Sequence, residues 1–110
     1  MLAKVNRINT TEDFRRLLRG RKVTTAHFVV CLAKTSSTAP TRFGFIISKT
    51  VGNAVIRKLT TRRLRESVRS SLRLAPTGFD CVIRGTVGSG AISWETLDSE
   101  VTAAIRRLTR

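Results

Sequence analysis

The chain has 110 residues, of which 21 are Lys or Arg and 7 are Asp or Glu, so its formal net charge is +14 at pH 7. With 41% hydrophobic residues it can bury a core, and its longest apolar run, residues 28–33, is far shorter than the ~20 residues that a membrane-spanning helix needs. It lacks the N-terminal apolar stretch of a secretory signal, so we expect an unprocessed cytoplasmic protein with one domain over residues 1–110.

The first predicted element is a short helix over residues 10–19. Thr10 is a suitable N-cap, and Asp13 follows at the spacing of a capping box. The apolar face of this helix is formed by Phe14, Leu17 and Leu18. Gly20 ends the helix, and the β-branched and apolar residues of 23–34 predict one strand.

A second strand is predicted over residues 42–49, after a polar loop at 35–41 that contains Pro40. Alternation along this strand separates two faces. One face carries Phe43, Phe45 and Ile47, and the other carries Gly44, Ile46 and Ser48. Gly52 and Asn53 mark the next break.

A long amphipathic helix is predicted over residues 53–74. At 100° per residue, Leu64, Val68 and Leu72 share one side, whereas five cations fall within a separate arc of about 80°. The cations of that arc are Lys58, Arg62, Arg65, Arg69 and Arg73. A solvated helix face is the structural alternative, but solvated faces usually mix charges of both signs.

The last predicted elements are a strand over residues 79–84, a loop over residues 85–90 and a helix that begins at Ser93. The glycine-rich loop lacks the Lys-Ser/Thr ending of a phosphate-binding loop, so we interpret it as a connection. Cations near the end of the last helix are Arg106, Arg107 and Arg110. Strands with amphipathic helices on one sheet face predict a two-layer α/β arrangement.

The positive charge is concentrated in the middle of the chain. All seven acids lie outside residues 14–65, and this segment holds 13 of the 21 Lys and Arg. Such a surplus repels itself unless a polyanion neutralises it, which favours nucleic acid as the partner over a merely solubilising surface or an anionic membrane. The chain has five Phe, one Trp and no Tyr, so phosphate contact and shape are expected to dominate over base stacking.

The inventory of catalytic groups is poor. Cys31 and Cys81 lie in apolar runs and predict buried thiols rather than a disulfide or zinc site. The single histidine, His27, flanks a strand and favours a structural or surface role. No nucleophile with a base, pair of carboxylates or metal-ligand cluster is visible, so we predict no catalytic residue and no metal ligand in the chain.

Residues 42–66, RFGFIISKTVGNAVIRKLTTRRLRE, resemble the signature of the protein subunit of bacterial ribonuclease P. The segments 6–8, 12–14 and 79–84 also resemble the corresponding parts of that family. The resemblance implies an α+β fold, a two-layer α/β sandwich with a small central sheet, similar to domain 2 of ribosomal protein S5. It also implies a non-catalytic protein subunit of a ribonucleoprotein endonuclease that removes the 5′ leader from precursor tRNA.

The same resemblance implies particular partners and contact residues. One protein per catalytic RNA is expected to bind the RNA and the leader and to raise affinity for the substrate and for Mg²⁺, which the RNA and substrate hold. The RNA-binding residues implied are Arg57, Lys58, Arg62, Arg63, Arg65, Arg69 and Lys49, and those of a leader cleft between the first helix and the sheet are Phe14 and Phe28.

Several positions depart from the family pattern. Lys58 replaces the usual Asn, Leu59 the usual Arg and Thr61 the usual Lys, which puts contacts at 59 and 61 in question. Leu18 and Cys31 stand where an aromatic is frequent, so base stacking in the cleft is expected to be reduced.

Two other classes of function remain open from the residues alone. One is a general RNA-binding or ribosome-associated protein with no part in processing. The other is a nuclease that acts without an RNA subunit, although the chain offers no site for it.

Overall fold

The computed structural model describes residues 2–109, so the predicted cation Arg110 lies outside it. Over that range the chain forms a four-stranded sheet and three α-helices. The elements are α1 (Thr11–Leu18), β1 (Arg21–Thr24), β2 (Phe28–Lys34), β3 (Arg42–Ile46), α2 (Ala54–Leu74), β4 (Phe79–Gly85) and α3 (Trp94–Thr109). None of the described helices is both long enough and apolar enough to span a membrane.

The sheet has the strand order β1-β2-β4-β3. Strand β2 pairs antiparallel with both β1 and β4, whereas β3 pairs parallel with β4. Parallel neighbours require a crossover connection, and α2 supplies it between β3 and β4. The predicted α+β class is confirmed.

The main core lies between the sheet and the pair α2 and α3. Side chains such as Val30, Phe43 and Ile83 meet Leu64 of α2 and Val101 of α3 in one buried cluster. The two helices are also tied to each other by a hydrogen bond, which the Ser67 hydroxyl donates to Asp98 (2.7 Å).

The opposite sheet face is partly covered by α1. Leu17 is fully buried there against Cys31 and Val82. Helices α2 and α3 therefore lie on one sheet face, as expected, whereas α1 lies on the face that was expected to be uncovered. The continuous apolar runs in β2 and β4 explain the difference, because a strand buried on both faces needs apolar residues at successive positions.

The predicted single strand over residues 23–34 is wrong: the segment belongs to a hairpin of β1 and β2. Its turn is fixed by Thr25, whose N–H donates to the Phe28 carbonyl (2.8 Å) and whose hydroxyl accepts from the Phe28 N–H (3.1 Å). Threonine is common in strands, so composition concealed a turn that a side-chain hydrogen bond creates. The strand predicted over 42–49 is also shorter, ending at Ile46.

The predicted N-cap at Thr10 forms, and the structure shows a second N-cap at Asn53. The Asp13 N–H donates to the Thr10 hydroxyl oxygen (3.2 Å), and that hydroxyl donates to the Asp13 carboxylate (2.7 Å), which lowers the pKa of Asp13. At the start of α2, the Asn53 side-chain oxygen accepts from the Ile56 N–H (3.0 Å). These caps fix where the two helices begin.

Candidate nucleic-acid interface

The outer side of α2 carries a row of cations that we call the α2 strip. Its members are Lys58, Arg62, Arg65, Arg69 and Arg73. The inner side of the helix is anchored by Leu64 and Val68, both 0% exposed, so packing against the sheet turns the strip toward solvent. Glu66 is the one acid among residues 54–74, and it pairs with Arg69 (3.1 Å). The arginines of the strip are therefore neither buried nor dispersed among acids.

Arg57 and Arg63 are partly buried and lie beside this strip. The Arg63 guanidinium donates to the Ile92 carbonyl (3.3 Å), which turns it toward the start of α3. Arg57 borders, with Lys58 and Arg62 of the strip, a shallow recess on the surface of α2. Its Nε atom is enclosed without a hydrogen-bond partner among residues 2–109.

Lys49 stands apart from α2 on the connection that follows β3. Its side chain is exposed, and a hydrogen bond between the Ser48 and Thr50 hydroxyls (2.8 Å) spans it. The Val51 N–H closes a turn on the Ser48 carbonyl (3.1 Å). The position is thus fixed by the backbone, with the ammonium group open to solvent.

The two phenylalanines predicted to line one cleft lie on opposite faces of the sheet. Phe14 is partly exposed and packs with the α1 side, whereas Phe28 is 0% exposed and belongs to the core beneath α2 and α3. Successive residues of a strand point to opposite faces, so Val29 rather than Phe28 points toward α1. The prediction that Phe28 lines that cleft is wrong.

An open groove runs beside α1 across the sheet. The pairing registers place Val29, Arg84 and Ile46 side by side on neighbouring strands, on the face that carries α1. Helix α1 covers the neighbouring row of side chains on this face but leaves the row of Val29, Arg84 and Ile46 accessible. Arg84 is exposed, and Val29 and Ile46 are partly exposed. Phe14 and Leu18 of α1 form the apolar wall. We call these five residues the groove.

Arg84 is a candidate contact that the sequence analysis did not select. In β4 it is the only exposed residue of seven, and it shares a sheet face with Val82 and Asp80. A cation that continues the alternation of a mostly apolar strand was the available signal. Its side chain places a positive charge on the floor of the groove.

Gly44 lets the Phe14 ring lie directly on strand β3. A Cβ atom at this position would be 2.7 Å from Cε1 and 2.8 Å from Cζ of that ring, and 3.2 Å from Cβ of Ile8. Such distances are shorter than van der Waals contact, so only glycine accommodates the ring in this place. The wall of the groove depends on this contact.

The variant Gly44→Ala is expected to lower the free energy of unfolding by about 1 to 3 kcal/mol, because the added methyl group displaces the Phe14 ring. Urea unfolding measures this decrease in the free energy of unfolding. The same substitution in a Phe14→Ala background is the control, since removal of the ring should abolish most of the cost. An equal cost in both backgrounds would show that the contact with Phe14 is not its cause.

A buried carboxylate fixes α1 on the sheet. Asp80 is 1% exposed and accepts two hydrogen bonds from Arg42, at 3.0 and 2.7 Å, and one from Arg16 of α1 at 2.9 Å. Arg42 also contacts Asp13 of α1 (3.3 Å). The hydrogen bonds from Arg42 to Asp80 raise the pKa of the Arg42 guanidinium above its ordinary value. This network sets the position of α1, and hence of the groove wall.

The acids of the chain do not form a metal site. Within residues 2–109, no group of three or more His, Cys, Asp or Glu side chains is placed to hold a metal ion. Several carboxylates already have partners: Asp80 accepts from two arginines, Glu100 pairs with His27, and Asp98 accepts from Ser67. These residues do not fit a protein-held magnesium ion.

Taken together, the cationic α2 strip and the open groove define a small basic α+β protein suited to binding nucleic acid. A family model described as Ribonuclease P matches residues 2–109. The ribonuclease P protein component of Clavibacter michiganensis subsp. michiganensis is 44% identical over 111 residues, which cover 100% of this chain and 98% of that protein. That of Pseudarthrobacter chlorophenolicus is 42% identical over 96% of this chain and 78% of that protein.

Solved structures share the fold. The RNase P protein of Staphylococcus aureus superposes with a TM-score of 0.84 at 23% identity and covers 96% of each chain. That of Thermotoga maritima gives a TM-score of 0.76 at 22% identity, over 88% of this chain and 92% of that one. The chain belongs to the ribonuclease P protein component family, which makes it a subunit of a ribonuclease.

Proposed function

We propose that this protein binds the catalytic RNA of ribonuclease P through the α2 strip and holds the 5′ leader of precursor tRNA in the groove. The observation that supports it most directly is the separation of the two surfaces. The strip lies on the helix that packs against one sheet face, and the groove lies on the other face. Both can therefore be occupied at once, by two different stretches of RNA.

Each surface has the chemistry for its proposed ligand. The guanidinium groups of Arg62 and Arg65 can each engage two phosphate oxygens, which suits an RNA backbone without reading its bases. In the groove, Val29 and Ile46 offer an apolar floor for unpaired bases, and Arg84 offers a cation for a phosphate. Phe14 is the one aromatic side chain of the groove, so the proposed leader contact depends little on sequence.

The proposed division of labour gives the chain no step in hydrolysis. Magnesium ions bound by the RNA and the substrate would supply the activated water, and the protein would position the leader and neutralise phosphate charge. Arg57, Lys58, Arg63 and Lys49 extend the proposed RNA contacts around the α2 strip. In this proposal residues 1–110 act as one RNA-binding domain, with one protein for each RNA.

Reconstitution with the cognate catalytic RNA at low magnesium tests the proposal. Added protein is expected to increase cleavage at the 5′ end of mature tRNA, because it offsets phosphate repulsion that magnesium would otherwise screen. A general RNA-binding protein would bind both RNAs without increasing cleavage, and this result would overturn the proposal. Cleavage by the protein in the absence of the RNA subunit would also contradict it.

A further inference from the structure

A second cationic surface lies at the β1 edge of the sheet, which is the edge opposite β3. There the end of α1, the start of β1 and the last turn of α3 meet, because the Arg21 guanidinium donates to the Leu108 carbonyl (3.4 Å). We call this surface the basic corner. Its members are Arg19, Arg21, Lys22 and Arg107, all of which are exposed.

Helix capping explains only part of this charge. Arg21 satisfies a carbonyl at the end of α3, where cations are favoured by the helix dipole. Among residues 2–109, Arg19, Lys22 and Arg107 take part in no ion pair. The acid on the same side of α3 is Glu100, two turns before Arg107, and it is bound to His27 (2.6 Å). The corner therefore keeps an excess of positive charge that a polyanion would neutralise.

Lys22 joins the basic corner to the groove, whereas Arg21 pairs with Leu32 and lies on the α3 side of the edge strand. Thr24 pairs with Val29, so the row Ile46, Arg84, Val29 ends at Thr24 on the edge strand β1. Lys22 projects from the same sheet face two residues away, a distance of about 7 Å along the strand. Lys22 and Arg84 both act electrostatically on the Cys31 thiol, whose pKa burial raises and these two charges partly lower. A strand of RNA that leaves the groove at β1 therefore meets Lys22 next.

The position of the α2 strip indicates the direction in which the leader runs along the groove and the basic corner. Under the proposed function, the catalytic RNA lies against α2, which contacts the β3 side of the sheet, so the cleavage site belongs near Ile46. The leader would then run from β3 toward β1. The four members of the corner are cations without an aromatic neighbour in the set, which favours contacts with phosphates over base stacking.

We propose, resting on the proposed function, that the basic corner binds phosphates of leader nucleotides that lie farther from the cleavage site than those in the groove. The interaction makes substrate affinity depend on leader length and not on leader sequence. It would distinguish precursors with long leaders from those whose leaders end within the groove.

The test compares the double variant Lys22→Gln, Arg107→Gln with the double variant Lys34→Gln, Arg106→Gln. Both remove two exposed cations, but Lys34 lies at the far end of β2, and Arg106 lies on the side of α3 that carries Asp98 and Thr102. Binding of precursor tRNA by the reconstituted holoenzyme is measured with leaders of about 4 and about 12 nucleotides, within the range that small single-strand-binding domains cover.

The corner variant is expected to bind the long-leader substrate about three- to tenfold more weakly, with a salt slope smaller by about 0.7 for each phosphate that is no longer bound. It should bind the short-leader substrate as well as the unmodified protein does, and the control variant should bind both substrates normally. Equal weakening for both leaders would assign the corner to another part of the RNA and overturn the inference, as would no weakening or an equal effect in the control. Failure of the unmodified protein to stimulate cleavage would instead contradict the proposed function itself.

Discussion

Replacing both Arg62 and Arg65 with alanine is expected to weaken binding of the catalytic RNA and to reduce the magnitude of the log-log salt slope by roughly 0.7 to 0.9 for each phosphate that the variant no longer neutralises. Both side chains lie on the outer side of α2, and neither forms an ion pair with another residue among 2–109. Their removal therefore costs the fold little and takes two cations from the proposed interface. Titration of labelled RNA over a series of salt concentrations measures the slope.

The matched control for this experiment is the double variant Arg15→Ala, Arg106→Ala, which removes the same charge from α1 and α3. Both positions are exposed and lie outside the α2 strip. If its salt slope falls as much as that of the α2 variant, binding follows net charge and not the strip. An unchanged slope for Arg62→Ala, Arg65→Ala would remove these residues from the interface.

The variant Asp80→Asn is expected to lower the free energy of unfolding by about 2 to 4 kcal/mol. Asp80 is 1% exposed and accepts hydrogen bonds from Arg42 and Arg16. An amide removes the negative charge and turns an N–H toward guanidinium donors, so Arg42 and Arg16 lose their buried counterion and keep only the partly exposed Asp13 as an acidic partner. Urea unfolding followed by circular dichroism measures the loss of stability. The control is the variant Glu95→Gln, which neutralises an exposed acid in the same way.

Disruption of the Asp80 network is also expected to affect the two proposed RNA surfaces unequally. Arg16 and Asp13 belong to α1, so the groove wall loses its anchor, whereas α2 packs through Leu64 and Val68 on the other sheet face. Leader affinity should fall more than affinity for the catalytic RNA, measured at a temperature where the variant is folded. Equal decreases would show that α1 is not held in place by this network.

The elements with strong periodicity were predictable from sequence. The apolar and cationic sides of α2 follow from a 3.6-residue repeat that 21 helical residues sustain, and the cap at Thr10 follows from local hydrogen bonding. Local patterns succeed here because each depends on residues at most a few positions apart. The hairpin at Thr25 was missed because its turn is made by residues that also suit a strand.

The groove could not be predicted in the same way. It consists of residues from α1, β2, β3 and β4 that only the strand order and registers bring together, and a one-residue change of register exchanges the two sheet faces. This is why Phe28 was placed in the cleft although it is buried on the other side, and why Arg84 was overlooked. The resemblance implied Phe14 and Phe28 as cleft residues, and only Phe14 lies on the groove side of the sheet.

The sequence by itself determined that the protein is cationic, that α2 is amphipathic with arginines along its outer side, and which family signature it carries. These properties depend on composition and on short-range spacing. The tertiary structure alone decided which side of the sheet each strand residue faces, how Asp80 locks α1 above Gly44, and where the β1 edge gathers its cations. Those arrangements depend on contacts between residues far apart in the chain, and only the packing of the sheet against its helices sets them.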